Sequence, residues 1–162
     1  MLTTNVPKRF VRGRLSVPNG DSEMICPKTV KIQFDSPSLQ ISPQLTRASF
    51  LESEFGKVAR TLVSNEPWHS WVLSETCHSR RAFNVALYFE GEKIASVSLD
   101  ASDPAFGTSW DDFTPEKAMQ QKAAHDEWVS AWLGGKRKFR WGTVWSGYDE
   151  KSGFSSIHIR YK

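Results

Sequence analysis

AFNVALYFEGEKIASVSLD, residues Ala82 to Asp100, carries the clearest structural signal in the chain. Phe83, Val85, Leu87 and Phe89 alternate with small or polar residues, the period of two that marks a half-buried strand. Ala95, Val97 and Leu99 repeat the alternation on the far side of a turn. Pairing Val85 with Val97 puts both apolar sets on one side. That register leaves Glu90-Gly91-Glu92 as a three-residue loop, a length that commonly ends in a glycine bulge. Such a hairpin has one greasy face, and the face needs a cover.

The cover lies downstream, in TPEKAMQQKAAHDEWVSAWLGG, Thr114 to Gly135. Thr114 is placed to cap a helix, Pro115 suits its first position, and Glu116 meets the positive end of the dipole. Gly134-Gly135 stops it. At 3.6 residues per turn, Ala118, His125, Trp128, Val129, Trp132 and Leu133 fall on one arc, with Gln120, Glu127 and Ser130 opposite. Laying that arc on the greasy face predicts an α+β fold. It is a two-layer sandwich, a mostly antiparallel sheet of hairpins covered by one long and one short helix.

The short helix is read in LTRASFLESEFG, with Thr46 as N-cap, Phe50, Leu51 and Phe55 as the apolar side, and Gly56 at the C′ position. VARTLV and WHSWVL read as strands on either side of Asn65-Glu66-Pro67. Residues 1–36 read as an N-terminal β-hairpin region of the same single domain, 1–162. There, Val11, Gly13, Leu15 and Val17 alternate before the Asn19-Gly20 turn signal. Val30, Ile32 and Phe34 alternate after it, and Pro37 and Pro43 then break the sheet.

KFRWGTVWSGYDEKSGFSSIHIRYK, Lys138 to Lys162, is a second hairpin turning at YDEKSG, where Gly153 is free to take a left-handed backbone. Two registers compete. If Trp145 faces Ile157 and Trp141 faces Tyr161, aromatics and aliphatics share one buried side; this is the ordinary outcome and the expected one. A shift of one residue puts Val144, Ile157 and Ile159 inside, and leaves Trp141, Trp145, His158 and Arg160 as an exposed face. Indole and guanidinium are enriched at interface hot spots. Trp141, Trp145, Arg160 and His158 are therefore candidate partner-binding residues.

The bulk numbers fit a protein that builds its own core. The chain has 162 residues, 39% hydrophobic and 12% aromatic, with seven tryptophans, a composition of globular rather than disordered chains. A net charge of +3 gives no strong pull towards nucleic acid, which needs basic residues gathered on one face. The runs Lys8 to Arg14 and Lys136-Arg137-Lys138 read as solvated surface. The N-terminus lacks an apolar leader core and no stretch approaches a membrane span, which places the chain in the cytoplasm. Cys26 and Cys77 lack CxxC spacing and read as reduced, buried thiols. The four histidines show no zinc spacing, so no metal and no cofactor are expected.

Asp100, Asp103, Asp111, Asp112 and Glu116 gather just before the long helix. Their spacing matches no calcium loop, and carboxylates at a helix start are favoured by the dipole alone. The better reading is an acidic surface, centred on Asp111 and Asp112, that meets a basic partner. His125, on the apolar arc, reads as a hydrogen-bonded core residue. It becomes an acid or base only with an orienting carboxylate and a pocket. No GxSxG elbow, SxxK pair, GxGxxG or P-loop is present, and no catalytic residue is assigned.

DPAFGTSWDDFTPEKAMQQKAAHDEWV together with RWGTVWSGYDEKSGFSSIHIRY resembles a family of small, mostly uncharacterised proteobacterial proteins. In it an FGTSWDD-type loop opens a helix and a WGxVxSxYDxKSGxSSIxIRY hairpin closes the chain. SFLESEFGKVARTLVSNEPWHSW is similar to the family's middle part. Its members look like the small cytosolic proteins that accompany toxic effectors in bacterial competition. The resemblance implies an immunity role: binding a cognate protein toxin and occluding its active site, as a monomer or a homodimer. The alternative is a small-ligand-binding protein or enzyme with a pocket between the long helix and the sheet, lined by His125 and Trp128.

Overall fold

In the computed structural model, which describes residues 23–29, 31–35, 38–107 and 109–162, the Ala82–Asp100 hairpin is the centre of a seven-stranded sheet. Its strands are β5 (Arg81–Glu90) and β6 (Lys93–Ala101). The register differs from the expected one by two residues: Val85 pairs with Leu99 and Leu87 with Val97. The turn is Gly91-Glu92 alone, and the bulge falls at Ala95, so Ile94 joins the buried row in its place. A slip of two keeps every side chain on its face, because strand side chains alternate with period two. The greasy face is therefore as expected, although the loop is not.

β4 (Trp68–His78) pairs along β5, and β3 (Arg60–Asn65) forms the outer edge beyond it. These are the two strands read around Asn65-Glu66-Pro67. On the other side β9 (Phe154–Tyr161) lies beside β6, followed by β8 (Gly142–Asp149) and the short β7 (Lys138–Phe139). Every neighbouring pair is antiparallel. β1 (Ile32–Phe34) and β2 (Leu39–Ile41) make a separate two-stranded sheet. Ile32 and Phe34 are buried as the alternation predicts. Leu39–Ile41 corrects the reading of a plain break between Pro37 and Pro43. The Asn19-Gly20 turn, the strand before it, Val30 and the Lys8 to Arg14 run lie outside the described residues.

The long helix, α3 (Pro115–Leu133), begins and ends as read. The Thr114 hydroxyl accepts the Lys117 amide, and Gly134 closes the helix at φ +63°. Ala118, His125, Val129, Trp132 and Leu133 are buried together with Gln121, whose side-chain amide donates to the Ala101 carbonyl at 2.9 Å. α3 packs over β8 and β9. The other half of the inner face is filled by Phe50, 5.7 Å from the Trp71 ring and 5.8 Å from Phe89, and by the residues of β1 and β2. Burying each large apolar side chain of this kind contributes roughly 1.5–3 kcal/mol.

The short helix is two helices. Thr46 caps α1 (Arg47–Glu52) as expected, but Ser53 then breaks the chain and its hydroxyl caps α2 (Glu54–Val58) by accepting from Gly56. Gly56 is thus inside α2 and not at a C′ position. A Cβ on it would lie 2.2 Å from the Phe50 carbonyl oxygen, so the sharp join between the helices needs a residue without one.

The closing hairpin takes the shifted register. Val144 pairs with Ile159 and Trp145 with His158, so Val144, Ile157 and Ile159 point inward. The physical reason is the turn. Glu150 to Gly153 form a four-residue loop between β8 and β9, with Gly153 at φ +72°, and loop length sets which residues face each other. Pairing of β9 with β6, Val97 to Ile159 and Leu99 to Ile157, holds the same aliphatics on the inner face. The expected burial of Trp145 is overturned.

Candidate functional site

The sheet has an outer face, read from its register. Across its middle, Val72, Ala86, Ser98, His158 and Trp145 lie side by side on β4, β5, β6, β9 and β8. The next row is Ser70, Tyr88, Ser96, Arg160 and Thr143. Most of these side chains are half-buried or exposed, and the β6 column is small. The face is therefore low along β6 and raised on its flanks by Tyr88 on one side and by His158, Arg160 and Trp145 on the other.

Trp145 is 42% exposed and stacks on the His158 ring at 5.1 Å between centroids. His158 is held from beneath by a hydrogen bond between its Nε2 and the Ser156 hydroxyl, 2.8 Å. Burial pushes the His158 pKa down, so at neutral pH the pair presents an uncharged aromatic plate beside the exposed Arg160 guanidinium. Trp141 is not part of it. It sits in the turn between β7 and β8, half-buried, stacked on Phe139 at 5.0 Å and donating from Nε1 to the Pro27 carbonyl. Of the four residues read as an exposed face, the structure brings together Trp145, His158 and Arg160 and removes Trp141.

Arg160 also lines a cleft of about 340 Å³ with Trp68, Glu90, Lys93, Ser96 and Lys162. Trp68 is 52% exposed. Sequence reasoning missed it, because it was read only as a strand residue and its nearness to Arg160 comes from β5 and β6 lying between them.

At the opposite end of the strands lies a second cleft of about 260 Å³. Two 3₁₀ turns, Pro104–Phe106 and Trp110–Asp112, carry the chain from β6 to α3 around it. Trp110, 72% exposed, meets Phe154 of β9 edge-to-face at 5.1 Å, and Phe113 lies 6.4 Å from Trp110 and 6.2 Å from Phe154. Phe113 rests on Gly153, where a Cβ would stand 2.7 Å from its ring. The FGTSWDD loop and the KSG turn, far apart in sequence, are thus one assembly. Asn84 and Asp100 also line the cleft, and the Asn84 amide donates to the Asp100 carboxylate at 3.0 Å. Burial drives the Asp100 pKa up, against that hydrogen bond.

Asp111 and Asp112 do not join the Trp145 face. Asp111 is exposed on the second 3₁₀ turn, and Asp112 is bound to the Lys117 ammonium at the start of α3. That ion pair reduces the acidic surface that was read from the cluster of carboxylates.

His125 is sealed, as the core reading has it. Its Nε2 accepts the Ala101 amide at 3.1 Å and its Nδ1 bonds the Ser155 hydroxyl at 2.9 Å. Burial pulls its pKa down to about 4, so the ring is neutral with its proton on Nδ1. With both nitrogens bonded and no exposed surface, it has nothing to offer a substrate. Trp128 packs edge-on against His125 and Phe83, with the Arg81 guanidinium 4.8 Å above its ring. The expected pocket lined by His125 and Trp128 is filled by those side chains; the cleft of about 260 Å³ lies instead where Ala118 and Gln121 of α3 meet Asn84, Asp100 and Ala101 of the sheet.

Among the described residues no three of His, Cys, Asp or Glu are grouped to hold a metal ion. Cys26 and Cys77 form no disulfide and are half-buried rather than sealed. No helix among the described residues is long and apolar enough to cross a membrane.

No family model, curated protein or solved structure matches this chain.

Proposed function

We propose that the protein is a recognition module that binds another protein through the outer face of its sheet and performs no bond-making chemistry. The observation that carries this reading is the Trp145–His158 stack beside Arg160, held exposed on a rigid antiparallel sheet. A preorganised indole with a neighbouring guanidinium is the usual composition of a binding hot spot, because large rigid area is desolvated at little entropic cost. The resemblance of the FGTSWDD loop and the closing hairpin to immunity-type proteins supports one kind of partner in this proposal: a protein toxin, neutralised in the cytoplasm by covering its active site. On that reading Trp145 is the central anchor, and Arg160 and Lys93 form the charged rim that sets association rate and specificity.

The test is capture of the partner from the native host by tagged wild-type chain and by a Trp145→Ala, Arg160→Ala double variant, read by mass spectrometry. A toxin retained by the wild type, lost by the variant, and made harmless to growth by co-expression supports the reading. Equal capture by both chains sinks it.

A further inference from the structure

Besides the outer face, the cleft at the Asp100 end has the makings of a site of its own. Its walls are aromatic, with Trp110, Phe113 and Phe154 in mutual contact and Phe106 beside them. Its polar side chains are Asp100 and Asn84 together with Ser102, Ser109 and Gln121, and Asp100 alone among them can carry a charge. The Asn84 amide satisfies one lone pair of Asp100 Oδ2, and among the described residues the Asp100 carboxylate has no ion-pair partner. An acceptor-only group is therefore left desolvated beside the faces and edges of three rings. Aromatic faces carry negative quadrupole potential, so walls and carboxylate favour the same kind of guest. At about 260 Å³ the space is below the roughly 300–1,000 Å³ typical of drug-sized ligands, and suits a compact head on a short stem.

We propose that this cleft binds a guanidinium or alkylammonium group, supplied by an Arg or Lys side chain of a protein or by a small free cation. The group sits against Trp110 and Phe154 and donates to Asp100, whose geometry Asn84 fixes. A planar guanidinium fits best, since it can bond the carboxylate and stack on a ring at once. The inference goes beyond the outer-face reading and does not rest on it, because neither Trp145 nor Arg160 lines this cleft.

The test is a titration of the ¹⁵N-labelled full chain with ethylguanidinium chloride, and with N-ethylurea as its neutral counterpart, at constant ionic strength. The signals followed are the Trp110 indole N–H and the Asn84 side-chain amide. Saturable shifts of both with ethylguanidinium, and none with N-ethylurea, are the expected result. Asp100→Asn weakens binding roughly tenfold or more, the loss of a charge-assisted hydrogen bond. Trp110→Ala weakens it roughly three- to tenfold, and its exposed position keeps the test available should the Asp100 variant fail to fold. A blocked Gly-Arg-Gly peptide that binds more tightly than ethylguanidinium identifies a protein side chain as the source, and weaker peptide binding identifies a free cation. Equal shifts with N-ethylurea, or cation binding unchanged by both substitutions, overturn the proposal. Since no partner protein enters the titration, its failure and failure of the capture experiment are separate events.

Discussion

Asn84 donates its side-chain amide to Asp100 at 3.0 Å across the β5–β6 pair, and this one bond is all that the described residues offer a carboxylate held largely out of water. Its consequence is a sign. The Asp100 pKa is raised in the fold, so its contribution to stability is most favourable below the ordinary carboxylate range and is lost as pH rises through the raised value. Its ionised form therefore stabilises the fold less than its protonated form does.

Asp100→Asn is accordingly expected to raise the urea unfolding midpoint at pH 7 while weakening cation binding in the cleft roughly tenfold or more. A residue that serves packing alone cannot do both. A lower midpoint for the variant at pH 7 is the contrary result.

His125 sets a pH dependence of opposite sign. Its folded pKa is about 4 against an ordinary 6.5, so between those values the unfolded chain holds a proton that the folded chain refuses. Stability falls as pH drops from about 6.5 towards 4, by about 3 kcal/mol in all. Lys122 and His158 nearby deepen the depression, and Asp126 opposes it. Chemical denaturation from pH 4 to 8 checks the slope, and His125→Gln is expected to flatten it.

Adjacent residues of β8 should respond in opposite ways. Trp145→Ala is expected to change stability by less than about 1 kcal/mol, as exposed positions do, and to weaken partner binding at least about tenfold. Val144→Ala, one residue earlier and fully buried, is expected to cost roughly 2 kcal/mol through lost burial and a cavity. Trp141→Ala should behave like Val144→Ala, since its indole is tied to Pro27 and Phe139. Paired denaturation curves and binding isotherms distinguish the two classes.

Gly153 holds the aromatic cleft in place. Any side chain there meets a left-handed backbone, at about 1–2 kcal/mol, and also the Phe113 ring. Gly153→Ala is expected to destabilise by at least that amount and to broaden the Trp110 indole signal as the loop loosens. A sharp, unshifted signal would show that the loop is positioned by other contacts.

Local features of the fold were legible from residue order because they depend on neighbours in sequence. The α3 cap at Thr114, its stop at Gly134 and its buried arc follow from backbone donors and a 3.6-residue repeat, and the greasy face of β5 follows from a repeat of two. Ser53 was not read as a break. Its capping of α2 competes with a continuous helix, and the close contact of Gly56 with Phe50 that tips the balance involves atoms of two separate turns.

Registers and sites belonged to another level. Alternation in β8 is equally compatible with Trp145 inside or outside, and the choice fell to the length of the Glu150 to Gly153 loop and to β6 holding Ile157 and Ile159 inward. The same docking carries Phe154 to Trp110 and sets both on the cleft that Asp100 also lines. No run of residues encodes that meeting, because it depends on strands from distant parts of the chain lying side by side. Periodicity states which faces an element can bury; packing against the rest of the chain selects the face and, with it, the surface left for a partner.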